Sequence, residues 1–378
     1  MSNLKPIHSW PHSELREIRD FKNILNLPNV KESPFYEKLR GLKVRCKLCN
    51  RFCVLDHGQV SSCGVRFNFE GKLYTVTYGL LTAVESRPME IKPFFHFNPA
   101  TTATTISTWG CNFVCAWCQN YTLSKYVKYF GHYISPEKLV EWCLDIGDDG
   151  INVSLNEPTL LTEYALDVFK TARKHNLHLS YNTNGYMSLE VLKELVYAGM
   201  QAVNIDVKGW EDTYRRWLLV DFDKYWRNVV EAEKMGLHVE LTYLVIPKVN
   251  DDEIESFLER ASKDLDLNTP IHFTRFHPDH KLLNTYSTPI EVLEEARNLA
   301  VKHYGFNYAY IGNVPGHPYE HTYCPKCGKI VIKRYGMYVV DVKLEVKNSK
   351  YVCRYCGSEV LVRGRLGRKF MRGLSLII

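Results

Sequence analysis

Three cysteines stand inside one short run, Cys111-Asn112-Phe113-Val114-Cys115-Ala116-Trp117-Cys118, at C-x3-C-x2-C spacing. Three thiolates are one ligand short of a structural zinc site, which takes four. They suffice for three irons of a [4Fe-4S] cluster and leave the fourth iron open, which suits chemistry better than plain electron transfer. The bland alternative is two buried cysteines and a chance third. Of the 12 cysteines, eleven sort into three groups. Cys324, Cys327, Cys353 and Cys356 form two C-x2-C knuckles, a zinc-ribbon pattern with a longer gap than usual. Cys46, Cys49, Cys53 and Cys63 would close a tetrahedral zinc site, and would equally hold an auxiliary [4Fe-4S] cluster. Their spacing does not match the ferredoxin run, and zinc is the favoured reading. His57 lies among them, but four thiols suffice without it. Cys143 is left over, in a helical run, and should pack in the core.

The elements that must position these groups can be read from apolar periodicity. Short apolar or β-branched runs occur at 104–108, 150–155, 177–181, 202–206, 238–245 and 271–276, as expected of strands buried on both faces. Amphipathic helical stretches lie between them, at 158–175, 189–198, 223–235, 251–265 and 289–303. Such alternation implies parallel strands with right-handed crossovers. The fold class is therefore α/β, and six units suggest an incomplete β/α barrel. In such folds ligands sit at the carboxyl ends of the strands.

Chemistry-bearing residues fall at those ends. The first strand runs into Gly110 and the cysteine loop; glycine permits a tight bend there. Asn156 and Glu157 end the second. Asn182 and Asn184 end the third, where a plain turn competes as a reading. Asp206 and Lys208 end the fourth and share a face, so they either pair with each other or meet a ligand. Arg275 and His277 end the sixth; one could grip a carboxylate and the other carry a proton, or both could be structural.

The cysteine spacing, with Trp117 just before the third cysteine, resembles the signature of radical S-adenosylmethionine (SAM) enzymes. That resemblance implies a partial (β/α)6 radical SAM barrel. It also implies that Asn156-Glu157-Pro158 matches the motif that meets the amino group of SAM, in the Asn-Glu-Pro form of the glycyl-radical-activase-like branch. Asp206 and Lys208 would meet its ribose and carboxylate, and Asn182, Asn184 and Arg275 would complete the cofactor-binding set. The stretches Gly71-Lys72-Leu73-Tyr74, Tyr78-Gly79 and Pro88-Met89-Glu90-Ile91-Lys92-Pro93-Phe94-Phe95-His96-Phe97, with Gln119-Asn120 after Cys118, narrow the likeness. They are similar to the radical SAM member of the AmmeMemoRadiSam system, related to pyruvate formate-lyase-activating enzymes. The likeness covers roughly residues 41–360, with Asn156 and Met89 as small departures. It implies a [4Fe-4S] cluster, SAM and zinc as cofactors, a flavodoxin- or ferredoxin-like one-electron donor, and association with Memo-type and AMMECR-type proteins. It supplies neither a substrate nor a catalytic residue.

Composition sets the frame. The 378 residues allow one large domain with small accessories. The expected organisation is an N-terminal arm (1–40), a four-cysteine metal-binding module (41–100), a core barrel (101–312), a zinc ribbon (313–362) and a basic tail (363–378). The net charge of +6 is modest. The tail reads first as a solvated terminus and second as a nucleic-acid contact. The start lacks the pattern of a signal peptide, and no apolar run reaches the roughly 20 residues that cross a bilayer. A cytoplasmic location is the expectation, with metal sites in place of disulfides. Two other function classes stay open: an activase that installs a glycyl radical in a partner, and a non-catalytic zinc protein that binds nucleic acid.

Overall fold

The computed structural model describes residues 24–125 and 131–367, and the backbone of 375–376. Its centre is one mixed sheet. Strand β1 (Ala83–Pro88) runs antiparallel to β2 (Thr102–Ser107). From β2 the order follows the chain, all parallel: β3 (Gly150–Val153), β4 (His178–Thr183), β5 (Ala202–Val207), β6 (His238–Val245), β7 (Ile271–Arg275) and β8 (Ala309–Gly312). Each of the six runs read from the sequence is a strand. A seventh parallel strand, β8, was not foreseen; its apolar run is only four residues long. The sheet is thus not limited to six parallel strands, and β1 adds an antiparallel edge.

Helices cross between the strands where caps start and stop them. In α1 (Pro136–Asp145), Ser135 accepts from the Lys138 N–H and Pro136 fills the first turn. The run 158–175 divides: a 3-10 turn (Pro158–Leu161) precedes α2 (Thr162–Ala172), and a second one follows it. α3 (Leu189–Ala198) is capped by Ser188 and stopped by Gly199 in the left-handed region. Asp221 caps α4 (Phe222–Lys234), and α5 (Ile254–Asp264) and α6 (Ile290–Asn298) follow. Their apolar faces and the strands form one large core. Cys143 is fully buried in it.

The N-terminal module docks on this unit through a buried ion pair. The Arg66 guanidinium meets Glu163 of α2 at 2.7 Å, and Ser33 donates to the same carboxylate at 2.6 Å. The module begins before residue 41: Lys31–Glu32 pairs with Lys72–Thr75, and Tyr36–Lys38 with Val44–Cys46. Residues 1–23 of the expected arm lie outside the described residues. At the other end, strands Thr322–Tyr323, Ile330–Tyr335 and Tyr338–Val342 form a small sheet beside the hairpin Leu344–Lys347 and Lys350–Cys353. It has its own apolar core of Val331, Ile332, Val339 and Leu344.

Of the tail, residues 363–367 and the backbone of 375–376 are described and contact the rest of the chain; 368–374 and 377–378 lie outside the described residues. The Arg363 N–H donates to the His96 carbonyl, Gly367 to that of Pro99, and the Arg365 guanidinium pairs with Asp149. Ser375–Leu376 adds antiparallel to β1. Backbone groups at an exposed sheet edge favour such pairing.

Candidate active site

The path from β1 to β2 sets the floor of the site. Residues 89–98 cross the inner face of the sheet and are held there by side chains of successive strands. Asn182 donates to the Lys92 carbonyl at 2.7 Å, and Asn204 to that of Pro93 at 3.0 Å. Glu240, wholly buried on β6, accepts the N–H groups of Phe95 and His96. It also accepts from His238 and His272, at 2.9 and 2.7 Å. Burial alone would raise the Glu240 carboxyl, but these histidines outweigh it and hold it well below the usual carboxylate range.

Above this floor lies a cavity of about 480 Å³ at the carboxyl ends of the strands. Cys111, Cys115 and Cys118 all line it, as do Asn156, Glu157, Asn182, Asn184, Asp206, Lys208, Arg275 and His277. The structure therefore brings the sequence-derived cysteine triad and strand-end residues to one place.

The cysteine loop is fixed from several sides. Gly110 turns it at φ +88°, with the Cys63 carbonyl 2.8 Å from where a Cβ would stand. Asn156 brackets the turn, accepting from the Thr108 N–H at 3.2 Å and donating to the Gly110 carbonyl at 3.1 Å. Arg51 donates to the Asn112 carbonyl, and Lys281 N–H to that of Ala116. Trp117 is buried against Trp217. Burial pushes the Cys111 thiol up to about 12, so a thiolate here depends on nearby positive charge. Lys125, buried beside the three sulfurs, is one such cation and donates to the Phe113 carbonyl.

Glu157 is held by the protein mainly through one oxygen, Oε1. It accepts from the Thr159 N–H and hydroxyl, the Thr183 hydroxyl and the Asn184 N–H. It braces the ends of β3 and β4 against each other. Asn184 reaches Asn112 at 2.7 Å, tying β4 to the cysteine loop. Asp206 and Lys208 pair at 2.9 Å, with the carboxylate more exposed than the ammonium. Burial would lower Lys208, but Asp206 and Cys115 outweigh it and raise it. Arg275 donates its Nε to the Thr288 carbonyl at 2.8 Å. Cavity residues that the sequence reading passed over are Arg87, Lys92, Lys125, Ser154, Asn204, Thr242 and Asn313. Lys92 stood in the stretch that carried the family likeness, but nothing in a linear pattern aims it at the triad.

None of the twelve cysteines is in a disulfide. Among the described residues, Cys324, Cys327, Cys353 and Cys356 are the one group of metal-binding side chains whose ligand atoms all lie within 4.8 Å of one another. Four soft ligands so gathered can hold a metal ion. Cys46, Cys49 and Cys63 are buried and Cys53 partly so. This quartet abuts the cysteine loop, since the Cys63 carbonyl packs on Gly110. His57 is engaged elsewhere, accepting from the Glu70 N–H.

Among the described residues no helix is long and apolar enough to cross a membrane.

Comparison with known proteins bears on the region that carries the cysteine loop. The sequence model of the Radical SAM superfamily matches residues 105–261. The chain is 39% identical over 335 residues to MJ0808, an uncharacterized protein of Methanocaldococcus jannaschii, covering 88% of this chain and 99% of that one. It is 23% identical over 266 residues to the GTP 3',8-cyclase of Campylobacter jejuni, covering 64% and 81%. A second M. jannaschii protein, MJ1227, is provisionally named a glycyl-radical enzyme activating enzyme; it is 26% identical over 170 residues, covering 44% and 72%.

Proposed function

We propose that this chain, which belongs to the radical SAM superfamily, holds a [4Fe-4S] cluster on Cys111, Cys115 and Cys118, binds SAM in the adjoining cavity and abstracts a hydrogen atom from a substrate. The observation that carries this reading is the single cavity shared by the three thiols and the polar ends of successive parallel strands. The donor set fits the cluster: three thiols open on one space, with Lys125 and Lys208 nearby to offset negative charge. Such a cluster supplies the electron that splits the C5′–S bond of SAM and yields a 5′-deoxyadenosyl radical.

The protein's own part is to bind, orient and keep out water. Asp206 and Lys208, which line the cavity and pair with each other, would meet the ribose and the carboxylate of SAM. Asn156 braces the cysteine loop; Glu157 braces the ends of β3 and β4 through Oε1, while its Oε2, which accepts one bond from the Asn184 N–H, would still accept from the SAM amino group. Asn182 and Asn184 extend that frame. Arg275, held at Nε by the Thr288 carbonyl, and His277 also line the cavity, and the Arg275 guanidinium would be a donor to SAM. Phe113, Trp117, Leu155 and Phe276 supply apolar walls that limit water.

The finer parts of the reading belong to the same proposal. The open sheet acts as an incomplete barrel, the last cysteine quartet as a zinc ribbon, and the first as zinc or an auxiliary cluster. A flavodoxin- or ferredoxin-like protein would donate the electron, and Memo-type and AMMECR-type proteins would be partners. An activase role is the second reading, supported by the likeness to MJ1227. A nucleic-acid role for the tail has less support, since Arg365 is already paired with Asp149.

The test is iron, sulfide and zinc content with reduced-state EPR, on anaerobically prepared protein with and without SAM. It is run beside the triple variant Cys111→Ala/Cys115→Ala/Cys118→Ala. A [4Fe-4S] signal perturbed by SAM and absent from the variant supports the reading. About four irons with two zincs would assign zinc to both quartets; about eight irons with one zinc would make the first a second cluster. Wild-type protein that takes up no iron would sink the proposal.

A further inference from the structure

The cations around the cavity differ in what they hold. Lys208 pairs with Asp206. Arg87 pairs with Glu85. Lys125 donates to the Phe113 carbonyl beside the cysteine triad, and Arg275 holds the Thr288 carbonyl. Lys92 differs from all four: among the described residues it holds neither a carboxylate nor a backbone carbonyl. Its side chain rises from the floor segment into the cavity wall and the residue is only 4% exposed. Its amine has one hydrogen-bond partner among the described residues, the Ser154 hydroxyl at 3.3 Å. No carboxylate among them lies within ion-pair distance of it.

A buried ammonium without a counter-charge is costly. Burial, aided by the charge of Arg87, pushes the Lys92 amine down to about 7. Its position is held firmly: the flanking backbone is fixed by Asn182 at the Lys92 carbonyl and by Asn204 at that of Pro93. An amine so fixed, so poorly partnered and so placed lacks an anion that the protein does not itself supply.

We propose that Lys92, with Ser154, is the substrate anchor of this cavity and receives a carboxylate group of the substrate. A carboxylate fits better than a phosphate dianion. One cation balances one charge, whereas a dianion would leave net charge buried. The amine and the hydroxyl also match the two oxygens of a single carboxylate. The inference rests on the cavity being the radical SAM site, and it names the class of molecule admitted there: an organic acid or an acidic side chain.

The test uses anaerobically reconstituted full-length protein labelled with 13C at lysine Cε. The Lys92 resonance is assigned by its loss in Lys92→Arg and in Lys92→Met. Acetate, succinate and inorganic phosphate are the probes, each titrated with and without SAM. The expected result is that acetate or succinate binds alongside SAM and raises the pKa of the Lys92 amine. Affinity should fall about tenfold or more in Lys92→Met and be largely kept in Lys92→Arg. An amine that responds to none of the anions would overturn the proposal, as would equal binding by wild type and Lys92→Met. Displacement of acetate by SAM would overturn it too, by making Lys92 a SAM contact. Phosphate binding tenfold tighter than either carboxylate would reject the assigned class. The SAM response of the cluster EPR signal, read on the same wild-type sample, judges the radical reading separately.

Discussion

Single side chains in this cavity are set by what else they already hold. Glu157 is a brace at one oxygen, where Oε1 accepts three bonds, and keeps acceptor capacity at the other, where Oε2 accepts one. Lys92, by contrast, has no sequence signal and an amine left nearly alone. Its depressed pKa of about 7 makes a prediction about stability. The unfolded lysine titrates near 10.4, so between about pH 7 and 10 the unfolded chain binds more protons and stability rises with pH. Lys92→Met removes this slope. Its gain over wild type should be largest below pH 7, roughly 3–5 kcal/mol, and should fade toward pH 10. Denaturant midpoints across that range check it; a pH-independent difference would refute the neutral, unmatched lysine.

At the scale of elements, the turn between β2 and the cysteine loop is the tightest joint. Gly110 sits at a positive φ with the Cys63 carbonyl, Val65 and Leu160 close to where a Cβ would stand. Gly110→Ala meets both an unfavourable backbone region and a backbone oxygen that cannot give way. The expected cost is about 2 kcal/mol or more, with reduced iron retention because the loop carries all three triad cysteines. Thermal melting and iron content measure the two effects. Wild-type values for both would mean that the loop and the first quartet are not in contact as described.

For the whole molecule, buried polar contacts join the modules in addition to apolar packing. Arg66–Glu163 fastens the N-terminal module to α2. At the other end, Arg334 is wholly buried and ties the small sheet to the floor segment, donating to the Phe95 carbonyl and the Thr322 hydroxyl. Glu163→Gln leaves the Arg66 charge buried without its partner, which costs roughly 3–5 kcal/mol. The expected result is early loosening of residues 31–75, read as faster amide exchange there than in β4 to β7. Uniform loss across the sheet would instead mean one cooperative unit.

By itself the sequence determined the cysteine groups, the six parallel strands that surround the site and the strand-end residues. These signals are local: ligand spacing, apolar runs and caps are written in neighbouring residues. The floor segment, the seventh parallel strand, the pairing of the tail and the isolation of Lys92 were decided by the tertiary structure alone. Whether a lysine is matched, or a glutamate is free to meet a ligand, depends on groups brought from distant positions. Lys92 and Ser154 are 62 residues apart, and so are Arg51 and Asn112 to within one residue. A linear pattern carries the donors and acceptors, but only packing in a space of low polarity decides which are spent on each other and which are left for a substrate.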